Sequence, residues 1–189
     1  QREQGELGFC GMPARLHAAR AALHFWEEPP ISGESGSGAV FFSGCSLGCA
    51  FCQNSKISQE RFGKEITTRR LREIFKELIE QGARNINLVT PTHFLPEILP
   101  ALEPKLPVPV VYNCGGYERV ETLRQLEGKI QIYLPDLKFA ERELAQQLCG
   151  APDYFPVACK AIDEMLRQVG PPRYDEGGMM TSGVIIRHL

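Results

Sequence analysis

The sequence has no marked excess of charge of either sign: 21 Lys and Arg against 23 Asp and Glu leave a net charge of −2. Nucleic acid or an anionic bilayer therefore finds no electrostatic reason to bind it. No apolar run is long enough to cross a bilayer, and no charged-then-apolar signal segment opens the chain. A cytoplasmic protein is expected on these grounds. Internal repeats and long low-complexity segments are also missing. With 43% hydrophobic and 23% charged residues the composition is that of a folded globular protein. Its 189 residues suffice for one well-buried domain. The chain does not open on methionine, and it stops in "SGVIIRHL", an apolar β-branched run with no turn after it. A piece of a longer protein is expected from both ends.

What the sequence does have is cysteine, seven in all. The number is odd and three are bunched, in "SGCSLGCAFCQN" at residues 43–54. Disulfide frameworks belong mostly to small secreted domains, so metal or redox use is the better reading. Thiolates suit zinc, copper(I) or iron–sulfur clusters. A structural zinc site usually takes four protein ligands as two separated pairs. Here Cys45, Cys49 and Cys52 stand as one triad, spaced C-x3-C-x2-C, with no second pair after it. A cubane cluster held by three cysteines leaves one iron open to a substrate or cofactor. The alternative is a zinc knuckle completed by Cys10 or a histidine.

From Gly38 onward, strand and helix signals alternate. "AVFFSG" (39–44), "NINLVT" (85–90), "VPVVYN" (108–113), "IQIYLPDL" (130–137) and "GVIIRHL" (183–189) read as strands. "TTRRLREIFKELIEQG" (67–82) carries Leu71, Ile74, Phe75, Leu78 and Ile79 on one stripe, with a threonine to cap its start and Gly82 to end it. Further helices are expected at about 94–102, from Val120, at 140–149 and at 155–169. The alternation implies βαβ units and a parallel sheet, either an open doubly wound one or a curved barrel. In both, ligands gather at the C-terminal edge of the strands. The cysteines, "TPTH", "NCGGYE" and "DLK" all follow strands at that edge. Residues 1–35 show no clean period and are set apart as an N-terminal extension, with residues 36–189 as the main domain.

The triad loop, with an aromatic just before its third cysteine, resembles the cluster loop of the radical S-adenosylmethionine superfamily. The surrounding sequence is similar to the branch of the pyruvate formate-lyase activating enzyme. The resemblance implies a partial (βα) barrel of parallel strands, its last strand lying beyond Leu189. It also implies a [4Fe-4S] cluster on Cys45, Cys49 and Cys52, with S-adenosylmethionine chelated at the open iron. Phe51 matches the aromatic near the adenine, and Asn54 a polar residue close behind the cluster. Asp136 and Lys138 of "LPDLKF" match a D-x-K element at the cofactor, and Arg187 an arginine near it.

Two positions depart from the family pattern. Asn113 stands where an aspartate often helps hold a monovalent cation. "VTPTHF" replaces a glycine-glycine-glutamate motif that receives the methionine amine; in its place Thr90 and Thr92 offer hydroxyls and His93 an imidazole, with Thr92 and His93 as the candidate contacts. The implied activity is reductive cleavage of S-adenosylmethionine and hydrogen-atom abstraction, with reduced flavodoxin or ferredoxin as electron donor and a glycyl-radical enzyme as protein substrate. A small-molecule substrate, or a non-enzymatic zinc or iron–sulfur binding module, is the alternative. Glu27 and Glu28, beside two prolines in the extension, could reach over the mouth of the site, but read rather as a solvated acidic turn.

Overall fold

The computed structural model describes residues 5–188, and the parallel strands at the centre of its sheet follow one another in chain order. Strand β1 (His17–His24) leads through helix α1 (Pro29–Ser32) to β2 (Ser37–Phe42). The loop with the three cysteines, helix α2 (Ser55–Ser58) and strand β3 (Lys64–Glu65) follow. Then come α3 (Thr68–Glu80), β4 (Ile86–Val89), α4 (Leu95–Ala101), β5 (Val110–Cys114), α5 (Val120–Arg124) and β6 (Ile132–Pro135). The chain continues through α6 (Arg142–Cys149), α7 (Tyr154–Val169), β7 (Arg173–Tyr174) and β8 (Met180–Val184).

The sheet runs β3-β1-β2-β4-β5-β6-β8-β7. Its five central strands, β2, β4, β5, β6 and β8, are parallel neighbours in the order in which the chain makes them. A doubly wound sheet reverses direction at a switch point, whereas this one never does. The singly wound order is that of a partial barrel, in agreement with the sequence expectation. Strand five begins earlier than expected, at Met180 in place of Gly183, and its outer end continues as a single bridge between Asp136 and Arg187. Leu189, the last residue of the expected strand, lies outside the described residues.

Side chains alternate across each strand. Val40, Phe42, Ile86, Leu88, Val110, Tyr112 and Tyr133 point to the outer face, where they pack with Leu71, Phe75 and Leu78 of α3, Ile98 of α4, Leu123 of α5 and Met165 of α7. Helix α3 is capped as its sequence suggests, Thr67 Oγ1 accepting from the Arg70 amide at 3.1 Å. The opposite face holds Val111, Ile132, Leu134 and Met180, and these pack around Ile31. Ile31 comes from α1, in the β1–β2 connection, and is completely buried. The N-terminal segment thus fills the floor of the concave side. The sheet runs across the boundary at residues 35 and 36, because β1 pairs with β2 in antiparallel register from Ala18 to His24.

Candidate active site

Above the Ile31 floor, the alternation that buries Val111 and Leu134 brings Asn113 and Asp136 to the concave face at the C-terminal ends of β5 and β6. A cavity of about 530 Å³ opens there, within the range of small-molecule and cofactor sites. Cys45, Cys49 and Cys52 line it, together with Phe51 and Asn54 of the same loop. Asn113, Asp136, Lys138 and Arg187 form the facing wall. His24, Trp26 and Glu27 close the side towards the N-terminal segment.

The cysteine loop is held by hydrogen bonds to its thiols and its backbone. The Leu47 amide approaches Cys45 Sγ at 3.3 Å, Cys52 Sγ meets the Ser58 hydroxyl at 3.2 Å, and Gln59 Nε2 donates to the Cys49 carbonyl at 2.8 Å. Burial pushes the Cys45 thiol up to about 12 and the Cys49 thiol up to about 11, so metal binding must displace protons from them. Among the described residues no three of His, Cys, Asp and Glu converge closely enough to hold a single metal ion. The three thiols nevertheless share one cavity wall and feel one another's charge. Three soft thiol donors facing one open space suit a cluster that keeps one iron free for a ligand in the cavity. Cys10, the other thiol considered for a zinc site, is buried in the outer-face core with Met12 and Leu16.

The opposite wall is one hydrogen-bonded charge network. Lys138 Nζ donates to Asp136 Oδ2 at 2.6 Å, which places both side chains of the D-x-K element on one side as their alternation implies. The same ammonium lies 5.8 Å from the Phe51 ring centroid, within cation–π range. Arg187 donates from Nε to Asp136 Oδ1 at 2.8 Å and from its terminal nitrogens to Asn113 Oδ1 at 2.7 Å and Glu27 Oε1 at 3.1 Å. Glu27 Oε2 accepts from Asn87 Nδ2 at 2.9 Å and Asn113 Nδ2 at 3.0 Å.

Two expected residues stand behind the wall and do not line the cavity. Thr92 Oγ1 lies 2.8 Å from the Tyr112 hydroxyl and donates to Glu118 Oε1 at 2.9 Å. His93 Nε2 is 2.7 Å from the Ser43 carbonyl, so it braces the strand end that carries the cysteine loop. Glu118 itself was not singled out by sequence. It is buried, and burial raises its carboxyl to about 7 against the hydrogen bonds from Thr92, Tyr112 and Cys114. Glu27, read as a solvated turn, is a network member with a side chain 9% exposed. The one available signal was in "NINLVT": Asn85 and Asn87 on a buried strand need internal partners, and those partners come from the β1–β2 connection. Thr90, which also lines the cavity, has a φ of 57°. For a β-branched residue that is strained backbone of the kind found at functional sites.

Residues 39–176 match the family model of the Radical SAM superfamily. A curated relative, an uncharacterized protein of Methanocaldococcus jannaschii, is 33% identical over 161 residues. That match covers 80% of this chain and spans 46% of the relative's length.

Proposed function

The chain belongs to the radical SAM superfamily, and from that premise we propose that it is an enzyme that cleaves S-adenosylmethionine reductively and abstracts a hydrogen atom from its substrate. Family membership implies a [4Fe-4S] cluster and S-adenosylmethionine, and both fit the cavity described above. When bound, they supply one-electron cleavage of the sulfonium and a carbon-centred radical.

The residues of the chain have definable tasks in this reading. Cys45, Cys49 and Cys52 would hold the cluster. Phe51 and Asn54 border it. Lys138 has three ammonium protons, of which one meets Asp136, and offers the rest to an anionic or lone-pair group in the cavity. Asp136 and Asn113 orient Arg187, whose fork faces the same space. Asn113 is committed to Arg187 and Glu27, so it contributes to this wall through neutral hydrogen bonds where an aspartate would add charge. Thr92 and His93 support the strand ends from behind. Residues 36–189 carry the barrel in this reading, and residues 1–35 are an appended segment that completes its cavity.

For the substrate we infer a backbone glycine of a glycyl-radical enzyme, with a flavodoxin- or ferredoxin-type electron donor. The support is the likeness of residues 134–139 to the corresponding loop of the activating enzymes. A small organic substrate is the second reading. It is favoured by Trp26, whose ring borders the cavity and is 90% exposed.

The observation that carries the proposal is the placement of three cysteines across one cavity from the Asp136–Lys138–Arg187 network. Anaerobic reconstitution should give a brown protein with about four iron and four sulfide. Reduction with dithionite should then yield 5′-deoxyadenosine from S-adenosylmethionine. A colourless protein with stoichiometric zinc, or an iron protein inert towards S-adenosylmethionine, would overturn it.

A further inference from the structure

Glu27 lies in the β1–β2 connection, before residues 39–176 that match the family model. Its carboxylate reaches partners 60, 86 and 160 positions away in the chain, Asn87, Asn113 and Arg187. Every one of those partners is a donor. The orientation of the Asn113 amide is fixed because its oxygen receives Arg187, which leaves its nitrogen for Glu27. A side chain at position 27 must therefore accept on both oxygens, and a carboxylate does so where an amide cannot.

The charge of the cavity follows from the same contacts. Apart from the cysteines, whose charge would be that of the cluster they hold and is the same in every variant, the wall facing them contains Glu27 and Asp136 as carboxylates, and Lys138 and Arg187 as cations. Two negative and two positive side chains cancel. Without Glu27 that wall would carry one excess positive charge. S-adenosylmethionine is itself cationic: its amino-acid end is a zwitterion and its sulfonium adds one positive charge. A positive wall in a partly enclosed site would repel it.

We propose that Glu27 is a positioning and charge-setting residue for the cofactor. It holds the Arg187 fork and the Asn113 amide towards the cavity, and it keeps the wall neutral so that the site accepts a sulfonium. The proposal rests on the cofactor reading above, and a comparison of two ligands separates the two. S-adenosylhomocysteine shares the adenosyl and amino-acid groups and lacks the sulfonium charge. The ratio of the two affinities therefore reads the charge of the wall, whereas a loosened structure lowers both affinities alike.

Binding of each ligand to the anaerobically reconstituted protein by equilibrium dialysis provides the test. Glu27→Gln should lower the preference for S-adenosylmethionine over S-adenosylhomocysteine roughly tenfold, the effect of one charge at a distance of about 10 Å in a protein environment. Glu27→Asp keeps the charge and should keep the ratio, even where both affinities fall. The double variant Glu27→Gln/Arg187→Gln restores neutrality and should restore the ratio. Should Glu27→Gln fail to fold, Arg187→Gln reads the same wall with the opposite sign, and the ratio should rise about tenfold. A Glu27→Gln protein that loses both ligands equally, or neither, overturns the proposal while leaving the cofactor reading intact. So does an Arg187→Gln ratio that falls or stays level. A wild-type protein that binds neither ligand removes the cofactor reading together with it.

Discussion

Single side chains in this protein are set by who reaches them. Glu118 is buried beneath the β5 strand end, where Thr92 and Tyr112 bond its two oxygens at 2.9 and 3.4 Å. These bonds do not offset its desolvation, so its carboxyl is raised from the ordinary 4.5 to about 7. The folded chain thus holds this proton more tightly than the unfolded chain does. Its contribution to stability is complete below about pH 4.5, declines as the pH rises and is lost above about 7. Glu118→Gln stays neutral throughout. Urea titrations of the metal-free protein should show the variant gaining on the wild type from pH 5 to pH 8, by up to about 3 kcal/mol. An equal difference at both pH values would show that Glu118 ionises without cost. Glu118 was not legible in the sequence, and Glu27 only as one of two carboxylates within reach of the site, because their meaning lies in partners supplied by distant segments. The cysteines, Asp136 and Lys138 were legible, because their spacing within a single loop or strand end already places them together. Arg187 needed only the assumption that its strand joins the same edge.

Elements approach one another closely where β5 and β6 end. Tyr154, in the first turn of α7, has its hydroxyl 2.8 Å from the carbonyls of both Gly115 and Asp136, and it accepts from the Lys138 amide at 3.0 Å. One buried phenol from a helix therefore ties together the segments that follow β5 and β6, just beyond Asn113 and at Lys138. Gly116 makes this possible. Its φ is 78°, and a Cβ there would lie 2.1 Å from the Asp136 carbonyl oxygen. Of the two glycines in "NCGGYE", Gly116 thus serves a close backbone approach as well as a turn. Gly116→Ala should destabilise the protein by about 3 kcal/mol or more, since both the backbone angle and the clash oppose it. Chemical denaturation would read this, and a loss below about 0.5 kcal/mol, the scatter of ordinary surface changes, would show that the loop relaxes freely. The parallel strands were readable as apolar β-branched runs. Strand β1 was not: "HAARAALH" is alanine-rich, poor in strand formers, half-buried at most positions and interrupted by a register shift between Ala18 and Arg20.

At the scale of the molecule, the singly wound order leaves one face to the helices and the other to whatever the chain can fold inward. Here the β1–β2 connection does that work, with Ile31 on the floor and Glu27 at the wall. The apolar side chains of the concave face, Val111, Ile132, Leu134 and Met180, are covered by this segment of the chain itself. A chain beginning at residue 36 tests how far the N-terminal segment belongs to the barrel. It would lose the strand that pairs with β2 and expose an open edge. It would also lose Ile31, whose burial is worth about 1.5–3 kcal/mol by itself, and leave Val111, Ile132 and Leu134 facing water. Arg187 and Asn113 would be without their carboxylate partner. The shortened chain should bind a dye for exposed apolar surface, lose its cooperative thermal transition and take up little iron on reconstitution. A shortened protein that melts within a few degrees of the full chain and still binds S-adenosylmethionine with the same preference over S-adenosylhomocysteine would show that the barrel closes its own floor. The charge on its wall would then have to come from residues other than Glu27.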